Sequence, residues 1–278
     1  MLLRNTAMAD FLIELLIKYR SLIITGFLLL LTTTLSAQKE APLVTDRPDV
    51  TESAVVVPIN SFQIETGFIY QKQKFDQNNI STENDNLILA STVFRYGIND
   101  KLELRFGGEY LSGKTTEGVI NSDVQGLRGL FVGSKFQITN DKNRIGDLAL
   151  LLELGLPFGN EKLRSDKIEP KFIIAAAKDI DESLIICINA GSEYDGDAGK
   201  NHAVYSASLG ISLGDRIGAF LEYYGDAVNG SKPRHNFDFG FTYLQKKNIQ
   251  IDASAGTILL SNETNWFGSI GFTVRLGN

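Results

Sequence analysis

Several shortages limit what this chain can be. Its 278 residues contain one cysteine, Cys187, which excludes an intramolecular disulfide and a cysteine-rich metal site. Lys and Arg number 27 against 33 Asp and Glu, for a formal net charge of −6, so no basic excess points to nucleic acid. No long acidic run marks a disordered tail, and no convincing amphipathic helix follows Ser61. The most apolar run, Ile23 to Leu31, falls short of the roughly 20 residues that a membrane-spanning helix needs.

That apolar run has another reading. Lys18 and Arg20 precede it and the small, polar "TTTLSAQ" follows, which is the order of a secretory signal peptide cut after Ala37. The stretch before Lys18 is long for an n-region and reads as a mis-set start codon. The expected organisation is a signal peptide over 1–37, a periplasmic lead-in over 38–60 and one further domain over 61–278.

What fills 61–278 is strand after strand. In "KLELRFGGEY", Leu102, Leu104, Phe106 and Tyr110 point one way while Glu103, Arg105 and Glu109 point the other, because strand side chains alternate with period two. About twelve such strands follow one another, at roughly the 9–11 residues a tilted membrane strand needs. They start near Phe62, Leu87, Leu102, Leu130, Leu148, Pro170, Leu184, Ala203, Ile217, Phe237, Ile249 and Trp266. Connections after odd strands are mostly long and polar, such as "KFDQNNISTEND" and "SGKTTEGVINSD". Those after even strands are mostly tight, such as "GINDK", "LGDR" and "QKKN". An even strand count with short turns at one end and longer loops at the other is the pattern of an outer-membrane barrel. The predicted fold is all-β: an antiparallel, up-and-down transmembrane β-barrel of outer-membrane type.

Charge parity supports this. One face carries Glu65, Arg95, Glu103, Arg105, Glu109, Lys135, Glu153, Lys171, Glu193, Glu222, Asp238, Asp252 and Arg275, and these are the candidate lumen-lining residues. The opposite face is mainly Leu, Ile, Val, Ala, Phe and Tyr. An arginine or lysine on lipid at mid-membrane costs about 2–4 kcal/mol, so a lipid face should lack charge. A soluble sandwich would show the same parity, and aromatic placement separates the two. Phe62, Tyr70, Tyr96, Tyr110, Phe136, Tyr194, Tyr205, Tyr223, Phe237, Tyr243 and Trp266 fall near strand ends with aliphatics between them, as expected of two headgroup-level girdles.

The stretches "TDRPDVTES", "VP" and "FQIETGF", then "YGINDKLELR" and "GLPFGN", resemble the family of meta-pathway of phenol degradation proteins, often described as transporters. The resemblance runs from about Thr45 to the end of the chain. "GLRGLFVGSKFQI" is similar to a family strand that carries Asp where this chain has Gly129. The chain ends "TVRLGN" rather than on an aromatic residue, which leaves Phe272 and Leu276 to serve as an insertion signal. The resemblance implies a barrel tied to uptake of small, aromatic or apolar compounds.

Two readings stay open for the N-terminal motif Asp46, Arg47 and Pro48: contact with a partner or the barrel mouth, or a charged pair fixing the lead-in beneath the first strand. The lumen charges either set a selectivity path or fill a narrow barrel with ion pairs. His202 and His235 read as inward, mouth-lining residues; Ser206 and Ser208 share the face of His202, but no motif links them. Cys187 reads as an inert inward residue, and "GDAGKN" is no phosphate loop. No catalytic residue, metal or cofactor is expected. The expected partners are outer-membrane lipid, the outer-membrane assembly machinery and a small-molecule solute, without nucleic acid. A closed barrel with a structural or surface-interaction role, and an outer-membrane acyl hydrolase, are the competing functions.

Overall fold

The structure, a computed structural model, describes residues 41–77, 80–141, 146–259 and 264–277. The expected signal peptide, residues 1–37, lies outside the described residues. Twelve strands run β1 Phe62–Gln77, β2 Ile80–Asn99, β3 Leu102–Glu117, β4 Ile120–Asp141, β5 Gly146–Gly155, β6 Glu169–Asp179, β7 Leu184–Asp195, β8 Lys200–Ser212, β9 Ile217–Val228, β10 Arg234–Lys246, β11 Ile249–Leu259 and β12 Thr264–Leu276. Each pairs antiparallel with its sequence neighbours, and β1 closes on β12 from Phe62↔Leu276 to Lys74↔Thr264. Closure leaves no free sheet edge, the condition for β-structure to exist in hydrocarbon.

The strand starts agree with expectation except at the end opposite the termini. β2 begins at Ile80 rather than Leu87, and β4 at Ile120 rather than Leu130. "KFDQNNISTEND" and "SGKTTEGVINSD" are therefore mostly ladder, not loop. The second hairpin turns at Gly118, whose φ of +58 suits a residue without Cβ. These hairpins stand above the membrane, so both of their faces are polar and the alternation that marks a strand fades. An outward rung shows the height: Lys72, Asp85, Lys114 and Asp123 lie side by side across β1 to β4. Trp266 of β12 lies opposite Lys72 on the same rung and packs at 5.4 Å against Tyr70, one outward step below.

The apolar face points outward everywhere below that rung. Leu104, Phe106, Leu152, Phe172, Ile188, Leu221 and Phe241 are all exposed to the surroundings of the barrel. Tyr96 and Tyr243 mark the terminal end and Tyr70, Tyr223 and Trp266 the other. Phenylalanine does not follow the girdles: Phe94 and Phe106 stack at 4.6 Å in mid-strand, and Phe239 and Phe241 are exposed there too. A ring with no polar tip has no reason to seek the headgroups, so only the tyrosines and Trp266 carry the girdle signal.

Candidate functional site

The expected lumen residues do face inward. Glu65, Arg95, Glu103, Arg105, Lys135, Glu153, Glu222, Asp238, Asp252 and Arg275 are buried, while Glu109, Lys171 and Glu193 near the far rim are half-buried. Their burial comes from a second piece of chain inside the barrel. The lead-in does not stop beneath the first strand; residues 44–57 fold back into the lumen and contact the wall on several sides.

On the wall of β1 to β4, charge meets opposite charge. Arg95 bonds Glu103 through Nε and Nη2, each at 2.9 Å, and Glu65 through Nη1 at 2.8 Å. Asp46, of the "TDRP" stretch, sits among three cations: Arg105 at 2.6 Å, Lys135 at 2.9 Å and Arg95 at 3.0 Å. Glu52 accepts a two-pronged contact from Arg105 at 2.9 and 3.1 Å. Ser53 returns its backbone N–H and hydroxyl to Asp46 at 2.8 and 2.6 Å, closing the segment on itself. Burial works against the charge on Asp46, yet Arg95, Lys135 and Arg105 outweigh it and hold that carboxyl well below the usual range. Glu153 has Lys171 at 3.6 Å and Arg105 at 3.2 Å, while Lys135 of β4 turns its ammonium to Asp46 and Ser53 of the segment.

Arg47 reaches the opposite wall. Its Nη2 lies 3.0 Å from both Asp252 and Ser269. Gly67 and Gly271 face each other across β1 and β12, and a Cβ on either would collide with this guanidinium. Two glycines thus make the slot for one arginine. At a third place Ala54 packs against Ala149, Ala175 and Ala177, small inward residues that leave room for a backbone to pass. Cys187 is inward as expected and lies beside this patch.

The wall of β8 to β10 differs. Glu222 accepts Val50 N–H at 2.8 Å and also the Thr51 hydroxyl, and Thr51 Oγ1 is 2.7 Å from Ser206. Asp238 stands opposite Glu222 in the β9–β10 register, fully buried, its oxygens meeting no N–H or hydroxyl donor. Asp49 in the segment is pushed well above the usual carboxyl range, first by burial and then by the nearby Glu222 charge.

The histidines separate. His202 is inward, its Nδ1 3.3 Å from Asp226. His235 is outward, contrary to expectation: its Nδ1 lies 2.7 Å from Tyr205 Oη and 2.6 Å from Tyr223 Oη, among outer-face aromatics. At headgroup height polar residues occur on both faces, so residue type misleads about direction there. Ser206, which shares the face of His202, is engaged by Thr51 instead. Sequence reasoning missed Asp49, Thr51, Glu52 and Ser53. Their only signal was a dense set of acids and hydroxyls in a segment too irregular to be a strand.

This wall and its threaded segment coincide with a family boundary. The chain matches the family described as "Putative MetA-pathway of phenol degradation" over residues 45–276, which begins at the segment and ends with β12. It belongs to that family. Among solved structures, the COG4313 outer membrane channel from Pseudomonas putida F1 superposes with a TM-score of 0.58 at 12% identity, covering 80% of this chain and 97% of that one. The translocator domain of the autotransporter NalP from Neisseria meningitidis gives 0.54 at 11% identity, over 77% of this chain and 88% of that one. At such identities these likenesses speak to fold, and the fold is that of outer-membrane barrels. No curated protein matches the chain.

Proposed function

We propose that this protein is an outer-membrane channel for small solutes, closed at rest by its own N-terminal segment. The observation that carries the reading is residues 44–57 inside the lumen, bonded to the wall by side chains and not built into the sheet. A permanent filler has no need to be a separate strand of chain, whereas a closure that must move does. The family description supports small aromatic or apolar compounds as the solutes. The N-terminal pattern supports export by a signal peptide, with a mature chain beginning near Gln38 that the outer-membrane assembly machinery inserts into lipid.

Planar-bilayer recording tests this. Protein lacking residues 41–57 should conduct steadily, and the intact chain should conduct rarely or in brief openings. A silent deletion variant that is otherwise folded would reject the channel. The dense ion pairing around Arg95 favours a second reading, a closed barrel whose filled lumen is structural, and the same silent result would support it. For localisation, the mature chain should fractionate with the outer membrane.

A further inference from the structure

Two cavities approach the threaded segment from opposite ends on one side of the barrel. The upper, about 320 Å³, is lined by Lys171, Glu193, Ser206, Asp226 and Arg234, and Val50 borders it from below. The lower, about 180 Å³, includes Asp49, Thr51, Asp147, Asp179 and Cys187. The bend Asp49–Thr51 stands between them, its middle residue in one cavity and its two neighbours in the other.

On the wall, Glu222 holds this bend through Val50 N–H and the Thr51 hydroxyl. Among the described residues, no Lys or Arg forms an ion pair with Glu222, Asp238 or Asp49. None lines the lower cavity either. Asp238 is fully buried against Glu222, with no N–H or hydroxyl donor on either of its oxygens. Carboxyls crowded together out of water cannot all stay charged, so this attachment rests on single hydrogen bonds and lacks the ion pairs with which Arg95, Arg105 and Lys135 grip the same segment across the lumen. A solute bringing a positive charge or a hydrogen-bond donor would satisfy these oxygens and an anion would be repelled there, because the two cations of the upper cavity, Lys171 and Arg234, are already paired with Glu153 at 3.6 Å and Asp226 at 2.9 Å.

We propose that solute crosses along this side of the barrel, that the Glu222 contact with Val50 and Thr51 is the latch that opens, and that the passage favours cations and neutral donors over anions. This rests on the channel reading, and the experiment separates the two. Single-channel recordings in a KCl gradient compare the intact chain, the 41–57 deletion, Thr51→Val, Ser53→Ala and Asp238→Asn. Thr51→Val should raise open probability several-fold, and clearly more than Ser53→Ala, which loosens the segment on the cationic wall. Reversal potentials, taken at a pH high enough to ionise the clustered carboxyls, should show K⁺ preferred over Cl⁻ in the intact chain, with the preference reduced in Asp238→Asn. An anion-selective pore, or Ser53→Ala opening as much as Thr51→Val, would overturn the proposal while a conducting deletion variant upheld the channel. A silent deletion variant would remove both. Should Thr51→Val fail to fold, Thr51→Cys/Ser206→Cys in a Cys187→Ala background provides a second test. Oxidation should close the pore and reduction reopen it, and an unchanged conductance would overturn the latch.

Discussion

The two sides of the lumen hold one segment by opposite means. Around Arg95 the buried charges are compensated: Asp46, Glu65 and Glu103 each contact its guanidinium. Around Glu222 carboxylates gather, and the contacts to the segment come from a backbone N–H and a hydroxyl. A buried ion-pair network adds little net stability against an apolar filling, but it fixes position, because removing one member strands the others. An acidic wall without cations does neither. In the proposed channel, one segment is thereby anchored on one side and releasable on the other, with no hinge or extra domain.

The comparison breaks first at its strongest point. Arg95→Met leaves Glu65 and Glu103 buried without their main partner, takes one of three cations from Asp46, and should cost about 3–5 kcal/mol. Urea unfolding in detergent, followed by the heat-modifiable band on gels, would show it, and loss of only a few tenths would mean the network is idle. On the outside the two walls should be alike, which neighbours on β5 can check. Leu152→Arg places a charge on the lipid face, 42% exposed, and should cost roughly 2–4 kcal/mol in vesicle insertion. Glu153→Leu, facing inward, should insert well and change conductance instead. Gly271→Val fills the slot that takes the Arg47 guanidinium and should destabilise by about 1–3 kcal/mol through overpacking. Freed of that contact, the segment should also become more sensitive to protease. On the acidic wall the sign should reverse: Asp238→Asn removes one of several crowded carboxyls and should raise the unfolding free energy or leave it within about 0.5 kcal/mol.

How much of this could be read beforehand depends on what sets each feature. Inward and outward faces were legible at mid-membrane because lipid forbids charge there: the parity of Glu103 and Arg105 against Leu104 holds throughout. The same rule fails above the membrane, where water reaches both faces. That is why the β1–β2 and β3–β4 hairpins read as loops and His235 reads as inward. Which charges meet is set by register across several strands, so the cage of Asp46 by Arg95, Arg105 and Lys135 could not be counted out from one strand at a time. The Arg47 slot left a trace, a glycine on each of the first and last strands, but only barrel closure makes Gly67 and Gly271 neighbours.

The account stands on the apolar face meeting lipid and the charged face with its plug lying inside. The chain has one tryptophan, Trp266, which is outward on β12 beside Tyr70. Its fluorescence in reconstituted vesicles should be quenched more by lipids brominated near the headgroup than by lipids brominated deep in the chains, and only weakly by aqueous iodide. Strong iodide quenching with no effect of either brominated lipid would mean that the outer face is wet, and would contradict the account.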